Sequence, residues 1–155
     1  TFISKNVPIL SKQGVRNIKW QIDDSFLRFW FRFVYPYQGL IESNRTSLLL
    51  QYVSDNYMLF TGKTLERFYH DLVMQNGRYT RIGNWWDKKG ENEIDMVALN
   101  EFERMGVIAE IKRNPKKLSL SVLETKAALL SSVLKGYKIE LRLLSLEDIC
   151  TIRTL

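Results

Sequence analysis

A single cysteine, Cys150, and a single histidine, His70, are all that 155 residues offer in thiolate or imidazole metal ligands. A structural zinc site takes about four nitrogen or sulfur ligands, so none is expected. One cysteine also excludes an internal disulfide framework and fits a reducing compartment, which makes a cytoplasmic location the expectation. No signal-peptide pattern opens the chain. No apolar run approaches the roughly 20 residues of a membrane span, so a membrane is not an expected partner. The hydrophobic fraction of 45% excludes global disorder. The net charge of +6 and pI near 9.5 are compatible with a polyanionic partner, and equally with a solubilising surface. The chain starts at Thr1 without a methionine, which reads as a piece of a longer protein.

Residues 1–23 read as a hairpin, TFISKNVPIL and VRNIKWQIDD joined by SKQG. A lone hairpin is marginal in water, so it should pack on the helices downstream or belong to a truncated module such as the wing of a winged helix. Residues 24–60 read as helical. In 24–42, Asp24 or Ser25 can cap the start, and Phe26, Phe29, Trp30, Phe33 and Tyr37 follow helical spacing with Arg28 and Arg32 on the other side. Core packing and a base-stacking platform both use such aromatics, and the helical period favours the core. Pro36 and Gly39 should bend or end this helix. A second helix over 46–60 should turn Leu49, Leu50, Val53, Tyr57 and Phe60 inward, and a break at Thr61 or Gly62 should precede a third with Leu65, Phe68, Tyr69, Leu72 and Val73 inward. Gly77 is its expected stop. Gly62-Lys63-Thr64 is not a phosphate-binding loop, because position 57 is Tyr and the context is helical. Glu66 lies at the margin of the third helix's apolar face, one turn before His70. It is either an acid directed at a site or a boundary residue paired with His70 or an arginine.

The stretch that carries chemistry is 93–112, EIDMVALNEFERMGVIAEIK, which reads as two strands with a short polar link. Alternation places Glu93, Asp95, Val97 and Leu99 on one face, and Ile108, Glu110 and Lys112 on one face of the next strand. Carboxylates in such apolar strands are costly to bury without partners. Two readings stand side by side. Glu110 and Lys112 can form a same-face ion pair on a half-solvated strand. Alternatively, Asp95, Glu110 and Lys112 converge into a site of hard oxygen ligands suited to Mg²⁺ or Mn²⁺, with Lys112 orienting a water or balancing phosphate charge. Upstream, RYTRIGNWWD is a further strand with a bulge expected at Gly83. Downstream, Arg113, Lys116 and Lys117 form a basic loop able to meet phosphate, and Lys126 leans toward the site from a helix over 119–134. A last strand, YKIELRLLSL, comes after Gly136. A helix between the last two strands permits them to lie parallel, giving an α/β core of helix, three strands, helix and strand over residues 61–155.

That order, with Glu66, Asp95 and the Glu110-Ile111-Lys112 triplet, resembles the restriction-endonuclease-like PD-(D/E)xK nuclease fold. Asp95 matches the first aspartate, the triplet matches (D/E)xK, and Glu66 matches the helix acid; Ile94 stands where the motif has proline. Over nearly the whole chain, QIDDSFLRFWFRFVYP, GKTLERF, RIGNWWDKKGENEIDMVA and AEIKRN resemble a domain of unknown function found C-terminal to the ATPase of archaeal and bacterial AAA-type proteins. This resemblance implies an upstream ATPase and winged helix as partners in the same chain, with residues 1–23 as the wing's remnant. It also implies catalytic roles for Asp95, Glu110, Lys112 and Glu66, with Asp95 and Glu110 holding Mg²⁺ or Mn²⁺. The expected function is metal-dependent cleavage of nucleic acid, most simply DNA. The alternative is an inactive interaction module that regulates the ATPase.

Overall fold

The most deeply buried strand, β4 (Glu93–Asn100), is apolar at Ile94, Met96, Val97, Ala98 and Leu99 and has structure packed on both its faces. In a computed structural model that describes residues 2–150 apart from 13 and 15, and not the side chain of Cys150, two compact units are present. The first unit comprises residues 1–6 and 19–64, and the second residues 7–18 and 65–155. Gln13 of the expected hairpin link, Val15 at the start of its expected second strand, and Thr1 and residues 151–155 at the ends lie outside the described residues.

In the first unit, β1 (Ile3–Asn6) pairs antiparallel with β2 (Lys19–Ile22), and Ser4 Oγ donates to Asp23 Oδ1 at 2.7 Å. The strands are shorter than the sequence implies, because residues 7–18 belong to the second unit instead. Asp24 caps the helical stretch, its carboxylate accepting from the Leu27 amide at 2.8 Å. The stretch is not one regular helix. It runs as α1 (Ser25–Phe29), a π-helical turn (Trp30–Val34), a 3₁₀ turn (Tyr35–Tyr37) around Pro36, and α2 (Gln38–Glu42). The widened π turn shifts the angular phase, so no single 3.6-period face survives. Phe33 is fully buried against Phe29, Tyr52 and Phe60, whereas Phe26, expected inward, is 67% exposed.

The expected break at Thr61 or Gly62 is absent: α3 is continuous from Thr46 to Gln75. Glycine in a helix costs only about 1 kcal/mol against alanine, a penalty that the surrounding turns outweigh. Leu49 is buried as expected, but Leu50, Tyr57 and Phe68 are exposed. A 30-residue helix presents different faces to its surroundings along its length, and short windows of periodicity misplace its margins. Gly77 follows the helix end at φ +69°, the left-handed conformation of a helix stop.

In the second unit, β3 (Arg81–Trp86), β4, β5 (Met105–Ile111) and β6 (Lys138–Leu144) form a mixed sheet in the order 3-4-5-6. The first two pairings are antiparallel and β5–β6 is parallel, joined through α4 (Leu120–Ala128). The expected order of helix, three strands, helix and strand is therefore present as a mixed α/β sheet. Leu65, Tyr69 and Val73 of α3 pack on Met96, Ala98, Val107, Ala109 and Ile111. Leu123 of α4 and Leu130 and Leu134 beyond it pack on Ile94, Val97, Leu99 and Ile108. Each fully buried leucine of this kind stabilises by about 2 kcal/mol relative to exposure. Asn100 organises the β4–β5 turn, its Oδ1 accepting from the amides of Phe102 and Glu103 at 3.1 and 3.0 Å. Gly106 permits the pairing to close, since a Cβ there would stand 2.6 Å from Leu99 Cδ2 and 2.8 Å from the Ala98 carbonyl oxygen. No described helix is long and apolar enough to cross a membrane.

Candidate active site

The site forms where β4 and β5 run side by side toward α4. The antiparallel register pairs Met96 with Ala109, so continuing it by one residue sets Asp95 opposite Glu110. Both acids are buried, at 4% and 7% exposure. Their burial is compensated by lysines. Lys112 Nζ bonds Asp95 Oδ2 at 2.7 Å and Glu110 Oε1 at 3.0 Å, so one ammonium is shared by the two carboxylates. Lys126, from α4, bonds Glu110 Oε2 at 2.9 Å and Oε1 at 3.2 Å. Asp95 Oδ2 also accepts from the Ile111 amide at 2.8 Å. The result is an alternating chain of charge: Lys126, Glu110, Lys112, Asp95.

Burial alone would raise the Glu110 carboxyl, but hydrogen bonds from Lys126 and then Lys112 outweigh it and hold it below the usual glutamate range. Burial works to lower the Lys112 ammonium, yet the hydrogen bond and charge of Asp95, with those of Glu110, raise it above the usual lysine range. Both groups are thus charged across the neutral range. Every ion in the chain has an opposite neighbour, the condition under which buried charge is tolerated.

The β3–β4 register is irregular beside Asp95. Gly83 pairs with Val97 but Trp85 pairs with Ile94, so Asp95 and Met96 together oppose Asn84 alone. This is a β-bulge, and its extra residue lies on β4 rather than at Gly83. Beyond it the alternation reverses: Ile94 joins Val97 and Leu99 in the cluster under α4. Gly83 serves a different end: a Cβ there would stand 3.2 Å from Ile9 Cβ, and the Ile9 amide donates to the Asn84 carbonyl at 2.8 Å.

Two residues outside the expected cluster hold the bulge. Asn84 Nδ2 and His70 Nε2 each lie 2.8 Å from the Asp95 carbonyl oxygen, which makes both nitrogens donors to it. The sequence carries a faint signal for His70, its helical spacing from Glu66, and none for Asn84. Glu66 is buried on α3, one turn before His70. Among the described residues no three His, Cys, Asp or Glu side chains gather as a metal-holding group, so Glu66, Asp95 and Glu110 do not make a three-acid centre. Asp95 and Glu110 alone remain as a hard-oxygen pair around a position already taken by a cation, the Lys112 ammonium. That donor set fits Mg²⁺, which commonly uses only one or two carboxylates and keeps several waters. Arg113 follows the site directly, and Lys116 and Lys117 are exposed on a 3₁₀ turn (Pro115–Lys117), where Asn114 Oδ1 accepts from the Lys116 amide at 3.0 Å. Lys126 is not in that basic turn; its partner is Glu110.

Fold and site together define a mixed α/β domain with a buried pair of acids bridged by lysine on its two central strands. The chain belongs to DUF234, a family of archaeal and bacterial proteins of unknown function, whose model matches residues 30–125. It is also 25% identical over 118 residues to an uncharacterized protein of Methanocaldococcus jannaschii, an alignment covering 72% of this chain and 26% of that relative. The chain thus spans about a quarter of the length of the relative it matches. No solved structure matches it significantly.

Proposed function

We propose that residues 65–150 form a restriction-endonuclease-like core of the PD-(D/E)xK type and hydrolyse phosphodiester bonds in nucleic acid with a divalent cation. The observation that carries this reading is the opposition of Asp95 and Glu110 across one shared cation position, with Lys112 supplying the cation. The mixed sheet between α3 and α4 supports it, because the (D/E)xK triplet falls on the central strand that precedes the crossover helix.

In this reading Asp95 and Glu110 hold Mg²⁺ or Mn²⁺, which when bound would stabilise charge on the phosphoryl oxygens and acidify water. Lys112, beside both acids, would orient the attacking water or offset charge on the phosphate. Lys126 keeps the second Glu110 oxygen charged and in place. Arg113, Lys116 and Lys117 neutralise phosphates flanking the scissile bond, and the substrate is DNA. Glu66 assists from α3. Association with an ATPase and a winged helix of the same polypeptide belongs to this proposal, as the resemblance implies.

A second reading has an observation of its own. Both Glu110 oxygens already bond ammonium groups, and no three-acid centre forms among the described residues. A site neutralised in this way serves equally as the rigid heart of a non-catalytic interaction module.

Nicking of supercoiled plasmid in Mg²⁺ or Mn²⁺ separates the two. The first reading expects metal-dependent nicking that falls at least about a hundredfold in Asp95→Asn, as loss of a key electrostatic group does. Equal traces from both proteins, or none from either, would support the interaction module.

A further inference from the structure

We infer that His70 and Asn84 are positioning residues that clamp the β4 bulge and thereby aim the Asp95 carboxylate at Ile111 and Lys112. This role rests on the reading of Asp95 as a reacting-centre acid, but its structural content stands on the register alone. In a regular antiparallel ladder the Asp95 carbonyl would be satisfied by a backbone amide of the neighbouring strand. The bulge sets two β4 residues against Asn84 and interrupts the regular ladder at that point. A buried carbonyl without a donor is costly. Here two side chains supply donors to it: Asn84 Nδ2 from β3 and His70 Nε2 from α3, each at 2.8 Å.

The two donors come from different elements and meet at one oxygen, so they fix the peptide plane of Asp95 from two directions. A fixed plane fixes the Cα–Cβ bond, and with it the carboxylate. That carboxylate accepts from the Ile111 amide at 2.8 Å and from Lys112 at 2.7 Å, and both bonds need the bulge in its present turn. Bulges next to sites commonly re-aim a side chain in this way. Neither donor touches the Asp95 carboxylate in these bonds, so each acts through Asp95 rather than on a substrate.

The test is amide hydrogen exchange by NMR on the whole chain, comparing wild type with His70→Ala, His70→Gln and Asn84→Ala. The Ile111 amide reports the Asp95 carboxylate directly, and the Val97 and Ile108 amides report the sheet. Exchange at Ile111 should rise about tenfold in His70→Ala and in Asn84→Ala, the scale of one buried hydrogen bond, with Val97 and Ile108 unchanged. His70→Gln, which restores an amide donor, should recover part of the protection. Unchanged Ile111 exchange in both alanine variants, or a rise shared equally by Val97 and Ile108, would overturn the clamp. If His70→Ala does not fold, Asn84→Ala decides alone. Plasmid nicking on the same samples adds the catalytic readout: a clamped wild type without nicking sinks the nuclease reading and leaves the clamp standing.

Discussion

At the residue scale, Glu110 holds the site together. It is buried, yet two lysines keep it ionised, so its charge makes the site sensitive to pH. Its carboxyl is held below the ordinary glutamate value of about 4.3. The stability it contributes is therefore present above that value and lost as pH falls through the lower, folded-state value. Lys112 is raised above the ordinary lysine value of about 10.4, so its contribution is present below that value and lost as pH rises through the folded one. Urea unfolding between about pH 6 and about pH 3 should therefore show a steeper fall in midpoint for wild type than for Glu110→Gln, which has no carboxyl to protonate. Parallel falls would mean that Glu110 is not stabilised by its lysines. Tyr69 shows the same physics away from the site. Its hydroxyl donates to the Ser145 carbonyl, and burial, then the charge of Asp148, pushes it up to about 12.

At the element scale, two glycines give opposite expectations. Gly62 lies inside continuous α3 with open space where a Cβ would stand, so Gly62→Ala should stabilise by about 0.5–1 kcal/mol in chemical denaturation. A chain that broke at residue 62 would lose stability instead. Gly106→Ala should cost about 1–3 kcal/mol in the same measurement, because the Ala98 carbonyl cannot retreat without opening the β4–β5 pairing. Much at this scale is legible in the sequence. The order of helices and strands follows from the switch between periods of 3.6 and two, and the parallel last pair from the helix between Lys112 and Gly136. Asp95, Glu110 and Lys112 are visible as ions too costly to bury singly. The β4 bulge is not legible, since a register shift depends on which residues of β3 face it, and no local preference of Asp95 or Met96 encodes that. For the same reason Asn84 and the backbone role of His70 stay hidden. The continuity of α3 is obscured because Thr61-Gly62 has the chemistry of a break, whereas Thr61 Oγ1 bonds back to the Tyr57 carbonyl at 2.9 Å within the helix.

At the scale of the whole molecule, the family match runs through parts of both units and includes α3 and the strands that carry Asp95, Glu110 and Lys112. The net charge of the chain is +6, and the basic turn at 113–117 follows directly on a centre in which two lysines balance two buried acids. In the proposed site Asp95 and Glu110 share a position for a divalent cation, which Lys112 otherwise fills. Calorimetric titration of the whole chain with Mn²⁺ tests it without depending on any substrate. Wild type should bind one ion, and Asp95→Asn or Glu110→Gln should each weaken binding by at least about tenfold, as removal of one of two charged ligands requires. No heat of binding at millimolar Mn²⁺, or the same titration from all three proteins, would contradict the claim and leave the lysine-bridged acids as a structural core.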